Sequence, residues 1–301
     1  MRQLVRCCTY AKFLGLLGLG GLFFTSPLWD YLWLLWLLGL VEIAYNFPVF
    51  VQSLQMVGGM VKVPLRYGSQ RPGINNFQGK VNYALPFSGR WTVVNGGVDK
   101  QWSHSWSIPS QRYAYDFLIL DPKGRSYRGP VTEPGSYYCY GQDILAPADG
   151  EVVAVGKGHP DSHIAGRGRV DCAARDIRGN HIILRHHPQE YSLLAHLQPG
   201  SIAVSVGDRV RRGQKLARCG NSGNSSEPHL HFQVQDGTSL FYSAGLPVRF
   251  EAITVEAPPR YAAYDPRPLP PGPPDDKYIR RGQSVAQREP AAGSGGQDGS
   301  G

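Results

Sequence analysis

The stretch Gly179–Gly237 reads GNHIILRHHPQEYSLLAHLQPGSIAVSVGDRVRRGQKLARCGNSGNSSEPHLHFQVQDG. It contains short apolar-rich runs, among them HIIL at His181–Leu184 and HFQV at His231–Val234, separated by turns that contain Gly. An earlier run, GEVVAV at Gly150–Val155, has the same character. Short strands at such spacing are typical of an all-β sandwich or barrel. The sequence therefore predicts one mainly β domain over residues 81–255.

Composition agrees with a turn-rich β protein. The chain has 301 residues, of which 37 are Gly and 24 are Pro, and only 18% are charged. Such a composition suits a β domain better than a helical bundle. The formal net charge of +8 is compatible with nucleic acid, anionic lipid or an acidic polymer as a partner. The Arg residues are scattered and no basic helix with interleaved aromatics occurs, so nucleic acid is not an expected partner.

Two apolar runs precede the β-rich part. Phe13–Leu28 carries no charge and follows three basic residues, and Tyr31–Val41 is rich in Trp and Leu. Each run is shorter than the about 20 residues that span a bilayer, although flanking residues extend both. No small-x-small cleavage site follows the first run cleanly, which disfavours a signal peptide. Residues 1–60 are therefore predicted to be a retained anchor of one or two helices in a lipid bilayer.

The number of membrane passes decides on which side the β domain lies. A two-helix hairpin returns the chain to the side where it began, with basic residues Lys62, Arg66 and Arg71 also on that side. A single inserted helix, with the other run in the interface, places the domain on the opposite side. Both alternatives stay open at this point.

Two further segments and the cysteines complete the organisation. Residues 61–80 are predicted to be a linker, and residues 256–301 a Pro/Gly-rich disordered tail. The five Cys include no C-x-x-C pair, which excludes a zinc ribbon and a thioredoxin-type motif. Cys139 and Cys172 could form a disulfide if the domain lies outside the cytoplasm, and free buried thiols are the alternative.

The most informative histidines are His229 and His231, in the run PHLHF. In a strand, residues i and i+2 point to the same face, so both rings would project toward one site. One can bind a metal while the other stays free for catalysis. Two solvated surface histidines are the alternative. Leu230 and Phe232 would occupy the opposite face, which favours a strand with one side on the core.

Asp116 and His196 are the other candidates. Asp116 ends the aromatic run QRYAYDF, where its neighbours would be buried. A buried carboxylate costs several kcal/mol unless it is paired, so Asp116 is either ion-paired, with Arg112 an obvious partner, or a metal ligand. His196 precedes a Pro-Gly turn, where a lone His is more often structural than catalytic. A His/Asp/His set with an open fourth position suits catalytic zinc.

The segment Gly179–Gly237 resembles the C-terminal half of the lysostaphin-type zinc metallopeptidases, which are cell-wall endopeptidases built on a duplicated-hybrid-motif β barrel. The motifs that carry the resemblance occur in the family's order: Ala195-His196-Leu197, Gly207-Asp208 with Val210, Gly213-Gln214, Gly220-Asn221-Ser222-Gly223 and His229-Leu230-His231-Phe232. The resemblance implies that His231 and Asp116 bind zinc. It also implies that His196 and His229 flank the attacking water and the scissile carbonyl.

The first zinc ligand departs from the common family pattern. That pattern, His-x-Gly-x-Asp, requires a His at position 112, where this chain has Arg112. The nearest upstream histidine is His104, twelve residues before Asp116. A longer His-to-Asp separation is similar to the staphylolysin and β-lytic branch of the family. His104 is therefore predicted to be the third metal ligand.

The resemblance implies a membrane-anchored zinc metalloendopeptidase that hydrolyses peptidoglycan peptides. Its domain is expected outside the cytoplasm, because a cytoplasmic one could not reach an assembled wall. The alternative is an inactive peptidase-like domain that binds the wall or regulates another hydrolase. A carrier or phosphotransfer role is disfavoured, because a carrier needs neither Asp116 nor paired histidines beside His196. The sequence predicts no particular protein activator.

Overall fold

The computed structural model describes residues 2–166, 174–269 and 277–288 of the chain. Cys172 and the residues from 289 onward lie outside this described part. The Cys139–Cys172 disulfide therefore stays a prediction, as does disorder at the end of the chain. The thiol of Cys139 is buried and donates to the carbonyl oxygen of Pro228 at 3.0 Å.

The first compact unit, Met1–Leu54, is helical. Its elements are α1 (Arg2–Ala11), a 3-10 stretch (Lys12–Leu22), α2 (Leu28–Leu32), a second 3-10 stretch (Trp33–Leu37) and the first part of α3 (Leu38–Tyr67). Glycines of the first apolar run pack against tryptophans that follow it. A Cβ at Gly15 would come within 2.7 Å of the Trp36 ring, and one at Gly20 within 2.3 Å of the Trp29 ring. The two apolar runs therefore pack directly on each other.

The stretch from α2 to the end of α3 is one candidate membrane span. Its 40 residues, Leu28–Tyr67, are long and apolar enough to cross a membrane by length and composition. At about 1.5 Å per residue the stretch is about 60 Å long, against about 30 Å for a bilayer core. A bilayer core would therefore cover about half of the length of this stretch. The helix also continues past residue 60, through the first part of the segment predicted to be a linker.

The second unit, Gln55–Gly301, is built on antiparallel strands, and the predicted mainly β fold is confirmed. The strands are β1 (Arg90–Asn95), β2 (Tyr115–Leu118), β3 (Asp143–Leu145), β4 (Gly150–Gly156), β5 (Asn180–His187), β6 (Glu190–Leu197), β7 (Arg209–Val210), β8 (Lys215–Arg218), β9 (Leu230–Gln235), β10 (Gly245–Leu246), β11 (Ile253–Glu256) and β12 (Ser284–Gln287). One ten-stranded sheet has the order β11-β12-β1-β2-β9-β6-β5-β4-β7, with β10 paired to β9. The second sheet is the pair β3-β8.

The two sheets share one apolar core. Ile144 of β3 and Leu216 of β8 are fully buried together with Ile182 of β5 and Phe232 of β9. On β9 the residues alternate, so that Leu230, Phe232 and Val234 enter this core and the residues between them face the other side of the sheet. On β9, that other side of the sheet carries His231.

The sheet also uses residues beyond position 255. Strand β12 lies between β1 and β11, and Val285 is fully buried against them. A short helix, α4 (Tyr261–Tyr264), precedes a buried ion pair in which Arg281 donates to Asp265 at 2.6 Å. The structure therefore differs from the predicted disordered tail at these residues, because the Pro-rich composition around them obscures a strand of only four residues.

Candidate active site

Three neighbouring strands of the large sheet bring the site together. The register pairs Asp116 of β2 with His231 of β9, and His231 with Ala195 of β6. His196 follows Ala195 directly, with φ of 61°, a left-handed conformation that is uncommon for a residue other than Gly. This backbone turns the His196 ring toward His229, which directly precedes β9, and His231, with 4.7 Å between the ring centroids of His196 and His229.

Asp116 is buried and accepts hydrogen bonds from two side chains. Nδ1 of His231 lies 2.9 Å from Oδ1, and Nδ2 of Asn95 donates to Oδ2 at 3.0 Å. Burial raises the pKa of the Asp116 carboxyl, but the hydrogen bond and charge of His231, with the charges of His229 and His104, outweigh burial and lower it below its ordinary value. Asp116 is therefore a carboxylate whose charge is balanced by imidazole groups.

The partner of Asp116 is not Arg112, one of the two alternatives expected from the sequence. The guanidinium of Arg112 donates from Nε to the carbonyl oxygen of Trp106 at 3.1 Å and lies 5.1 Å from the centre of that indole ring. Arg112 therefore does not form an ion pair with Asp116. The ion-pair alternative with Arg112 is wrong for this reason.

His231 has both ring nitrogens in use. Nε2 lies 3.0 Å from Oε1 of Gln233, and the amide nitrogen of Gln233 donates to the carbonyl oxygen of Ser110 at 3.0 Å. This second bond fixes the amide orientation, so the Gln233 oxygen faces His231 and accepts from Nε2. Because Asp116 accepts from Nδ1 and Gln233 accepts from Nε2, both ring nitrogens carry a proton, and a metal ion bound here would take the place of the proton on Nδ1. Burial lowers the pKa of His231, but its bond to Asp116 outweighs burial and raises the pKa.

His196 and His229 are held in the same way by backbone carbonyls. Nδ1 of His196 donates to the oxygen of Ser222 at 2.7 Å, and Nδ1 of His229 donates to the oxygen of Glu227 at 2.7 Å. A carbonyl only accepts, so both Nδ1 atoms carry the proton and both Nε2 atoms are free to react. Nε2 of His229 lies 3.8 Å from Oδ1 of Asp116. Burial lowers the pKa of His196 well below its ordinary value.

His104 reaches the site through a bridging residue. Its backbone N–H donates to Oδ1 of Asn95 at 2.9 Å, and the same Asn95 side chain donates to Asp116. The exposed side chain of His104 lines a cavity of about 320 Å³. The same cavity is lined by Asp116, His196, His229 and His231. All five predicted site residues therefore line one cavity. A larger cavity of about 870 Å³, at the edge formed by β4 and β7, contains none of them.

The donor set fits a zinc ion in part. Within the described ranges, no group of three or more His, Cys, Asp or Glu side chains is placed to hold a metal ion. Two donors are placed together, since Nδ1 of His231 and Oδ1 of Asp116 are 2.9 Å apart. Two ligand atoms of a tetrahedral zinc ion are about 3.4 Å apart. The two donor atoms of this pair would therefore have to move slightly further apart to hold a zinc ion. The third ligand has to come from a side chain that turns toward the pair.

Two other histidines, His181 and His186, have structural hydrogen-bond partners. His181 donates from Nδ1 to the Gly179 oxygen at 2.8 Å, and burial lowers its pKa to about 4. His186 bonds the Asp149 carbonyl oxygen and the Ser192 hydroxyl, at 2.7 Å in both cases. Neither lines the cavity that contains His231.

Sequence reasoning missed three residues of the cavity region. Asn95 and Gln233 orient predicted ligands, and Asn224 lines the cavity with a buried side-chain oxygen that has no hydrogen-bond partner in the described part of the chain. Gln233 could have been found, because it is two residues after His231 and shares its face. Asn95 could not, because its contact depends on the pairing of β1 with β2.

Comparison with known proteins identifies a family for part of this chain. Residues 137–241 match the family model described as peptidase family M23. These residues form an M23 peptidase domain. His196, His229 and His231 lie in the matched range, whereas His104 and Asp116 precede it. The staphylolysin-like His-to-Asp spacing stays a prediction.

Two curated relatives of the M23 domain come from Vibrio cholerae serotype O1. Peptidoglycan DD-endopeptidase ShyB is 26% identical over 126 residues, which cover 42% of this chain and 23% of that protein. Peptidoglycan DD-endopeptidase ShyA is 31% identical over 138 residues, which cover 46% of this chain and 26% of that protein. The matches thus span about a quarter of the length of these relatives.

Solved structures of similar proteins include a zinc-containing peptidase from Vibrio cholerae, with a TM-score of 0.34 and 21% identity over 55% of this chain and 39% of that one. The catalytic domain of lysostaphin from Staphylococcus simulans has a TM-score of 0.29 and 22% identity over 57% of this chain and 90% of that one.

Proposed function

We propose that this protein is a membrane-anchored zinc metalloendopeptidase that hydrolyses peptide bonds in peptidoglycan. The observation that carries the proposal is the convergence of Asp116, His231, His229 and His196 on one cavity, with His104 on its wall. The names of the two Vibrio relatives point to the same substrate class. A net charge of +8 suits an anionic wall polymer.

Each side chain has a role in the proposed reaction. Asp116 and His231 would hold a zinc ion, His104 would supply the third ligand by turning toward them, and Asn95 and Gln233 keep the first two in place. When bound, zinc lowers the pKa of water to about 7 and polarises the peptide carbonyl. Nε2 of His196 or of His229 accepts the proton of the attacking water and passes it to the leaving amine.

The other histidine of that pair stabilises negative charge on the carbonyl oxygen, a role that requires a proton on its Nε2 as well as on Nδ1, so that ring acts as an imidazolium. In both rings Nδ1 is already bonded to a carbonyl oxygen and Nε2 is available to the reaction. Either histidine can therefore take either role.

The membrane part of the proposal rests on the apolar stretch Leu28–Tyr67. A helix of this length holds the chain in a bilayer, and a domain on its outer side has access to the wall. Hydrolysis of assembled peptidoglycan requires that side.

A metal-free binding module is the second candidate. The observation that favours it is Arg112, which stands where the common family pattern places a ligand and packs on Trp106. Such a module would bind the wall or regulate another hydrolase through the same groove.

Zinc content distinguishes the two candidates. We expect about one zinc per full-length chain purified in detergent, measured by mass spectrometry, together with hydrolysis of crosslinked muropeptides. His231→Ala and His104→Ala should each lose the metal and the activity, because removal of either leaves only two protein ligands. His187→Ala changes an exposed histidine outside the cavity and serves as the matched control.

The possible results separate the claims. A wild-type chain that binds no zinc after reconstitution and hydrolyses nothing would leave the binding module as the function. Full zinc retention by His104→Ala would show that another side chain is the third ligand.

A further inference from the structure

The end of helix α3 lies against the same face of the sheet as the site. Residues 55–67 belong to the second compact unit, together with the strands. Met56, in the first turn of this segment, lines the cavity that contains His104, His196 and His231. A residue of an apolar helix thus forms part of the wall of the candidate active site.

Two glycines allow the helix to come this close. A Cβ at Gly59 would lie only 1.8 Å from the backbone oxygen of Phe241, so no larger residue fits without a shift of the helix or the loop. At Gly58 the nearest atoms belong to the Tyr242 side chain, at 3.3 Å. The helix backbone therefore rests directly on the loop that follows β9.

Polar contacts hold the same helix one to two turns further on. Lys62 lies 5.2 Å from the centre of the Tyr242 ring. Arg66 pairs with Asp236 at 3.2 Å, and the Tyr67 hydroxyl donates to the same carboxylate. The position of Met56 is thus determined by contacts along the whole segment and not by the cavity alone.

The cavity has an apolar part beside Met56. Leu193 and Leu240 line it, are buried, and pack together in a small cluster on this side of the sheet. Ile108 also lines it and is half-buried. The proposed catalytic groups make up the polar part. A peptide in this cavity would place its backbone on the histidines and a side chain on the apolar part.

We propose that Met56 is a specificity-determining residue, which forms with Leu240, Leu193 and Ile108 an apolar subsite for an apolar side chain of the substrate peptide. This inference rests on the proposed function. The substrate class that it selects is a peptide with a methyl-bearing residue, such as D-alanine, beside the bond that is hydrolysed. Gly at that position would leave the subsite unfilled.

The test measures kcat/KM of the full-length protein in detergent on synthetic crosslink peptides that carry D-alanine or Gly at each position flanking the bond. Burial of one methyl group corresponds to about a four-fold preference. We expect the wild type to prefer D-alanine about four-fold at one position, mainly through KM. Met56→Ala and Met56→Gln should reduce that ratio toward one, and Met56→Leu should keep it.

Met60→Ala is the matched control, because Met60 is on the same helix, is 42% exposed and does not line the cavity. It should keep the wild-type ratio. Suppose that the wild type cleaves the peptides and that the Met56 variants have the same ratio of kcat/KM for D-alanine over Gly as the wild type at each flanking position. The subsite then does not exist. A lower KM in Met56→Ala would mean that Met56 obstructs the substrate, which also overturns the inference. If the wild type cleaves none of the peptides, the proposed function itself fails.

Discussion

His196, His229 and His231 of the candidate site each have one ring nitrogen bonded to a fixed acceptor. His196 and His229 use backbone carbonyls, whereas His231 uses the side chain of Gln233. A backbone acceptor cannot be removed by mutation, but Gln233 can be. The tautomer of His231 is therefore the one that a single substitution is able to change.

Gln233→Met should weaken zinc binding by about 10- to 100-fold, because the ring of His231 loses the acceptor that orients it. Gln233→Glu keeps an acceptor for Nε2 but buries a carboxylate that cannot donate to the Ser110 carbonyl oxygen, so it should weaken zinc binding as well. Competition with a chromogenic chelator measures both affinities. Gln189→Ala, at an exposed position of the turn between β5 and β6, controls for a general effect of losing an amide. Equal zinc affinities for all variants would mean that Gln233 does not orient His231.

Part of this site follows from the sequence, and part does not. The shared face of His229 and His231 follows from the two-residue period of a strand. The bond from Asn95 to Asp116 joins residues 21 apart and depends on an irregular register between β1 and β2. No local pattern encodes such a register. The side-chain direction of His104 is undetermined by sequence for the same reason.

At the scale of elements, helix α3 begins in the first compact unit and ends in the second. Its apolar composition predicts a membrane anchor, and composition alone does not reveal that residues 55–67 pack on the β domain. The signal was present in the pair Gly58-Gly59, since Gly in a helix interior costs about 1 kcal/mol relative to Ala and often marks a close approach.

Gly59→Ala should disturb the packing of this helix segment. Ala favours the helix, yet its Cβ cannot fit beside the backbone oxygen of Phe241. We expect faster hydrogen exchange of residues 60–67 and a higher KM, because Met56 moves with the helix. Gly58→Ala meets only the movable ring of Tyr242 and should exchange like the wild type. Unchanged exchange in Gly59→Ala would indicate that the loop moves aside easily.

At the scale of the whole molecule, strand β12 joins the two ends of the domain. It pairs with β1 on one side and β11 on the other, and the buried hydroxyls of Thr92 and Ser284 lie 3.1 Å apart across the first pairing. Without β12, both neighbours lose a hydrogen-bonded partner and the core around Val285 opens.

Ending the chain after Leu269 should therefore destabilise the domain strongly, by several kcal/mol, whereas ending it after Arg288 retains β12 and should keep the stability of the full chain. Thermal unfolding in detergent, followed by near-ultraviolet circular dichroism, compares the two truncations. A melting temperature for the shorter chain within a few degrees of the full-length value would show that β1 and β11 do not depend on this strand.

The place of β12 has a further consequence for biosynthesis. Thr92 and Ser284 are 192 residues apart, and the strand that carries Ser284 is synthesised after the other strands in the described part of the chain. While the ribosome is still adding residues before position 284, β1 has no partner on that side. The domain can complete this sheet only after residue 287 has been translated. A chain that is threaded across a membrane during synthesis would therefore remain incompletely folded, and able to pass through a narrow channel, until β12 emerges.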